Sequence, residues 1–117
     1  MNEFDSPDLL KALESIEKRD YASAFKLLNS LAEAGNPRAQ CNLAMLYQFG
    51  WGVGANGKKA VELYKRVGEL RLKEGNLSGI AYNNLATICF TGLRDVEKDV
   101  EQGEKYAALA RERGFPM

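Results

Sequence analysis

The stretch Pro37-Arg38-Ala39-Gln40-Cys41-Asn42-Leu43-Ala44-Met45-Leu46-Tyr47-Gln48-Phe49, followed at once by Gly50-Trp51-Gly52-Val53-Gly54, decides how this chain folds. Proline has a fixed φ and lacks the amide hydrogen that a first helical residue does not need, so Pro37 opens a helix. Leu43, Ala44 and Tyr47 fall on one side of that helix, at helical spacing. Three glycines in five residues then end it, because each glycine loses more backbone freedom in a helix than any other residue would. The reading is a helix over 37–49 and a turn after it.

The same punctuation recurs on both sides. Toward the N-terminus, Gly35-Asn36-Pro37 stops a helix that Asp20 caps, and Tyr21, Ala24, Phe25, Leu28, Leu31 and Ala32 form its apolar stripe. Before it, Ser6 and Pro7 start a first helix over about 7–18, with Leu9, Leu10, Leu13 and Ile16 at helical spacing. Toward the C-terminus, Asn56 caps a fourth helix over about 57–74 that Gly75-Asn76 ends. A fifth runs from about Ser78 to Thr91, Gly92 breaks it, and Asp99 caps a sixth that stops at Gly114. No segment alternates as a strand.

Short connections between six helices call for a search for repeats. Asp20, Asn56 and Asp99 each stand four residues before a small residue, Ala24, Ala60 and Gly103, that can sit beneath a crossing helix. Asn42-Leu43-Ala44 recurs as Asn84-Leu85-Ala86, and Gly50 as Gly92, all offset by forty-two. The caps, however, are thirty-six residues apart from Asp20 to Asn56 and forty-three from Asn56 to Asp99. Seven residues have entered, and placing four of them in 68–74 lengthens the fourth helix by about one turn of 3.6 residues. The insertion either shapes a partner surface or is a neutral lengthening of an exposed helix end.

From Ala39 to Val53, then at Lys59-Ala60 and Tyr64-Lys65, the sequence resembles a Sel1-like repeat, a relative of the tetratricopeptide repeat. A second, degenerate copy keeps Asn84, Leu85, Ala86, Gly92 and Asp99 but has Cys89 in place of the tyrosine and Arg94 in place of the second turn glycine. The resemblance implies an all-α fold: an α-solenoid, or α/α superhelix, of about three antiparallel hairpins in a right-handed stack. The hairpins span about 7–34, 37–74 and 78–113 of one domain over 1–117. It further implies a concave face built from the first helix of each hairpin and a role in binding protein. Sel1-like proteins are commonly adaptors in assembling or regulating complexes, and some small bacterial ones resemble immunity proteins that neutralise a toxin, so an adaptor and an inhibitor both stand as readings, in a bacterial and cytoplasmic setting.

Composition narrows the chemistry. The chain has 117 residues, with 16 Lys and Arg against 16 Asp and Glu, so no net field draws it to nucleic acid or anionic lipid. The polar, acidic start Met1-Asn2-Glu3-Phe4-Asp5 is unlike a secretory leader, and no run reaches membrane-spanning length. Cys41 and Cys89 stand far apart, as reduced thiols of a cytoplasmic protein would. There is no histidine, hence no serine–histidine or cysteine–histidine nucleophile. Carboxylates such as Glu62, Glu69, Glu97 and Asp99 read as solvated faces, and the turn glycines follow no strand that would make them a phosphate cradle. Neither an enzyme nor a cofactor is expected, and the rival from another class is a helical cleft that binds a small molecule or catalyses, which a deep pocket with strongly shifted carboxylates would favour.

With Leu43, Ala44 and Tyr47 packed inward, the helical wheel turns Arg38, Cys41, Met45, Gln48 and Phe49 toward the groove. The forty-two-residue offset adds Ile80, Asn83, Thr87, Phe90 and Thr91. Met45, Phe49 and Phe90 read equally as core. Trp51, in the turn, is either a binding hot spot or a lid on the hairpin. Tyr47 and Tyr64 belong to the repeat and read as structural. At the end of the sixth helix, Val100, Tyr106, Ala107, Leu109 and Ala110 need cover, either from a partner or second copy, as a homodimer, or from Phe115-Pro116-Met117 folding back.

Overall fold

A computed structural model describes residues 5–72 and 76–116. Six helices follow in order: α1 (Pro7–Glu17), α2 (Tyr21–Glu33), α3 (Pro37–Phe49), α4 (Gly57–Gly68), α5 (Leu77–Thr91) and α6 (Val100–Glu112). Each packs against the next, and the short connections make neighbours antiparallel. Among the described residues the nearest approach to a sheet is one isolated bridge between Leu93 and Val96, in the connection after α5.

The helices begin where short polar side chains can take up the free amides of the first turn. Ser6 accepts from the Leu9 amide at 3.1 Å, and Asp20 from Ser23 at 3.3 Å. Asn36 accepts from both Arg38 and Ala39, Asn56 from Lys59 at 3.0 Å, and Asp99 from Gln102 at 3.1 Å. Each such cap stabilises its helix by about 1 kcal/mol. α3 ends on Gly50, which sits at φ 71° in the left-handed region that glycine enters without a Cβ penalty.

Small residues set how closely the helices approach. A Cβ on Gly68 would strike the Tyr82 ring, and one on Gly103 would strike the Phe90 ring, so these two glycines, one in α4 and one in α6, each receive an aromatic from α5. Leu9, Leu28, Leu46, Tyr64, Val67, Leu85 and Ile88 fill the continuous core between the hairpins.

α4 corrects one expectation: it ends at Gly68 and is not lengthened toward residue 74. Its last carbonyls are satisfied from outside. Ser78 donates its hydroxyl to the Gly68 carbonyl at 2.5 Å, and Arg113 Nη1 donates to the carbonyls of Gly68 and Leu70 at 3.1 Å and to Ser78 Oγ at 3.0 Å. A guanidinium at a helix C-terminus also opposes the negative end of the helix dipole. The Tyr82 ring lies beneath that guanidinium, 5.7 Å from its carbon. The predicted stop at Gly75 lies outside the described residues.

The end of α6 is covered from its own chain. Tyr106 stacks on Tyr82 with ring centroids 5.9 Å apart, Ala110 is buried, and Phe115 folds back beside Gly79 at the start of α5. Ala107 and Leu109 are half-buried, while Val100 stays exposed.

Candidate functional site

α3 lies between α2 and α4, and that position decides which of its side chains reach the surface. Cys41 does not: it is 8% exposed, part of the core, and burial pushes its thiol up to about 12 against the opposing pull of the nearby Arg38 charge. Its predicted place in the groove is therefore corrected. The physical reason is that a helix flanked on both sides buries more than one stripe, so seven of the thirteen α3 residues are buried. Arg38 is half-buried and ion-paired with Asp5, ahead of α1, which anchors it to the first hairpin. Met45 and Gln48 are half-buried, and Phe49 is exposed. On α5, Ile80 and Asn83 are half-buried, Thr87 and Thr91 exposed, and Phe90 covers Gly103 with one side while remaining 37% exposed. Both threonine hydroxyls donate back to their own helix, to the carbonyls of Asn83 and Thr87, which leaves them little directional character for a ligand.

The antiparallel order gathers the C-termini of α3 and α5 and the N-termini of α2, α4 and α6 at one end of the stack. There Trp51 stacks with Tyr21, at 5.0 Å and 17°, and with Phe49, at 4.8 Å and 28°. It is both lid and ladder: the indole packs on the first residue of α2 and also supports an exposed phenyl ring. One turn further into the stack, Phe25 meets Tyr47 edge-on at 5.9 Å. Gly52 makes this possible, because a Cβ there would collide with the Tyr21 carbonyl.

Beside the ladder, Gln48 accepts the Tyr64 hydroxyl at 2.9 Å. Tyr64 also hydrogen-bonds Asn84 of α5, and burial holds its phenol well above the usual tyrosine range. A cleft of about 300 Å³ opens between the turn after α3 and the connection after α5, lined by Gln48, Ala55, Gly57, Leu93, Arg94 and Asp95. The Asp95 carboxylate closes one wall, accepting the amides of Gly57 at 3.0 Å and Lys58 at 3.1 Å, and these bonds hold its acid below the usual carboxylate range.

The family model of the Sel1 repeat matches residues 7–36, 37–70 and 79–115. This chain belongs to the Sel1 repeat family. It is 28% identical over 93 residues to Chitin synthase regulatory factor 3 of Schizosaccharomyces pombe, a match covering 80% of this chain and 9% of that protein. A crystal structure of a Sel1 repeat protein from Oxalobacter formigenes superposes with a TM-score of 0.64 at 28% identity, over 80% of this chain and 36% of that one. The chain thus spans well under two thirds of either relative.

Sel1 repeats are generally protein-interaction modules and typically non-catalytic scaffolds. The second repeat ends at residue 70 and the third begins at 79, so most of the inserted residues fall in the connection between α4 and α5. Among the described residues, no helix is long and apolar enough to cross a membrane, and no cluster of His, Cys, Asp and Glu has the arrangement of a metal site. Three contributors to this end of the Sel1 stack had no place among the predicted site residues: Tyr21, Arg94 and Asp95. Tyr21 read as part of an apolar stripe, and Asp95 reaches its amide partners from thirty-seven and thirty-eight residues away, beyond any local pattern.

Proposed function

We propose that this chain is a protein-recognition module that acts as an adaptor or regulatory subunit, gripping a partner with the face carried by α3 and α5 and with the Trp51 turn. The observation that carries the reading is Phe49. It is 53% exposed, yet its ring is fixed by stacking on Trp51, which is itself seated on Tyr21. An apolar ring held in place at the surface loses little freedom on binding, and aromatic anchors of this kind dominate protein interfaces. Met45, Gln48, Ile80, Asn83, Thr87 and Phe90 extend the surface along α3 and α5, with Arg38 at the far end, anchored by its ion pair. The likeness to a protein named as a regulatory factor supports a regulatory setting.

Phe49→Ser tests this directly, because an exposed ring can be removed with little effect on the fold. In affinity capture followed by titration of the captured partner, the variant should bind at least about tenfold more weakly, a loss of about 1.4 kcal/mol, with an unchanged far-ultraviolet spectrum. Equal affinity of the two chains for every captured partner would sink the assignment.

A further inference from the structure

We propose that the cleft between the α3–α4 turn and the α5–α6 connection is a subsite for an acidic side chain of the partner protein, an Asp or Glu beside an apolar residue. This rests on the protein-recognition reading above and adds the chemistry of the bound segment. The argument is one of charge. Asp95 is the acid of the cleft, and both of its oxygens are taken by amides at the start of α4. The positive end of a helix is equivalent to about half a unit charge, so much of that carboxylate is already neutralised. Arg94, on the cleft wall, is exposed and makes no ion pair among the described residues. The cleft lining thus carries one full positive charge, Arg94, that no carboxylate pairs, beside one carboxylate that is already bonded.

The remaining lining selects the kind of acid. Because Gln48 Oε1 is occupied by the Tyr64 hydroxyl, the amide N–H groups of Gln48 remain as donors. Leu93, Ala55 and Gly57 make the cleft apolar elsewhere, and Phe49 is the next residue along α3 from Gln48. A carboxylate on a peptide can use the donors and the apolar lining together, whereas a free anion uses the donors alone. The chain's balanced charge provides no wider field to hold a polyanion.

Panning a random dodecapeptide library on the full chain tests the subsite. The expected outcome is a family of peptides sharing an Asp or Glu next to an apolar residue. Replacing that acid by its amide should weaken a synthetic peptide at least about tenfold, and so should Arg94→Glu, while a lysine at the same peptide position should restore binding to Arg94→Glu and show that the variant is folded. Peptides without a shared acid, or equal binding of the acid and amide forms, overturn the proposal. So does displacement of the peptide by millimolar inorganic phosphate, which makes the cleft a free-anion site, or self-association abolished by Arg94→Glu, which makes the occupant a second copy. Acidic peptides that survive Phe49→Ser but not Arg94→Glu keep the cleft and remove the aromatic anchor. Peptides that survive Arg94→Glu but not Phe49→Ser do the reverse, and a chain that selects no peptide loses both.

Discussion

Gly52 and Gly57 stand on opposite sides of the same kind of junction, where the turn of one hairpin meets the second helix of the hairpin before it. At the first junction the turn is small and the helix start is large: Gly52, at φ 73°, lies against the backbone and Cβ of Tyr21. At the second the bulk is exchanged. The turn position forty-two residues on is Arg94, the helix opens on Gly57, and a Cβ there would meet Leu93 Cδ1 and Val96 Cγ2 at 2.9 Å. Gly52→Ala should therefore destabilise by about 2–4 kcal/mol, combining left-handed strain with a collision against backbone that cannot move aside. Gly54, with no neighbour within 4 Å of its would-be Cβ and no positive φ, is the control: Gly54→Ala should be neutral or stabilising by up to about 1 kcal/mol. Urea denaturation of both variants decides it, and a Gly52→Ala within about 0.5 kcal/mol of the parent would mean that close approach does not select this glycine.

The elements show why some features were legible in the sequence and others were not. Ser6, Asp20, Asn56 and Asp99 cap helices by bonds to residues three along, so their roles could be read from neighbouring letters. Arg113 and Asp95 serve helix ends thirty-five or more residues away, and no local pattern announces that. The end of α4 is illegible in the local sequence for this reason: with Ser78 and Arg113 taking the Gly68 carbonyl, the helix needs no further turn. The misplaced Cys41 has a related cause, since the wheel of one helix does not reveal how many neighbours it has. Phe49 and Trp51 were legible as residue types, but their stacking on Tyr21 was not. The Asp95 clamp makes a pH prediction. Its acid is held below the ordinary value of 3.8, so its contribution is present above that value and is lost as pH falls through 3.8 toward the folded-state value. Asp95→Asn should melt below the parent at pH 6, and the gap should close as pH drops below 3.8. Glu14, also lowered by its bond to Lys18, titrates in both chains and cancels from the comparison. A gap of constant size would show that the charge of Asp95 is not what holds the start of α4.

Across the whole molecule, burial is concentrated in the middle of the stack. α3 buries seven of thirteen residues, α4 six of twelve and α5 seven of fifteen, whereas α1 buries two of eleven. In an array where each helix packs chiefly on its neighbours, stability is close to a sum of local terms, and the element with the least buried surface opens first. α6 also buries two residues, Gly103 and Ala110, but Arg113, the Tyr106–Tyr82 stack and Phe115 fasten it to α4 and α5. The Arg38–Asp5 pair reaches only Asp5, two residues ahead of the first residue of α1, so it fastens the lead-in and not the body of that helix. Native-state hydrogen exchange should accordingly find α1 amides opening about 2 kcal/mol or more below those of α3, α4 and α5, with α6 between them. The aromatic ladder would be untouched by that opening, because Tyr21, Trp51 and Phe49 join α2 to α3 and leave out α1. A chain whose α1 amides exchange only through global unfolding would instead be one cooperative unit, in which loss of the first helix removes the binding surface with it.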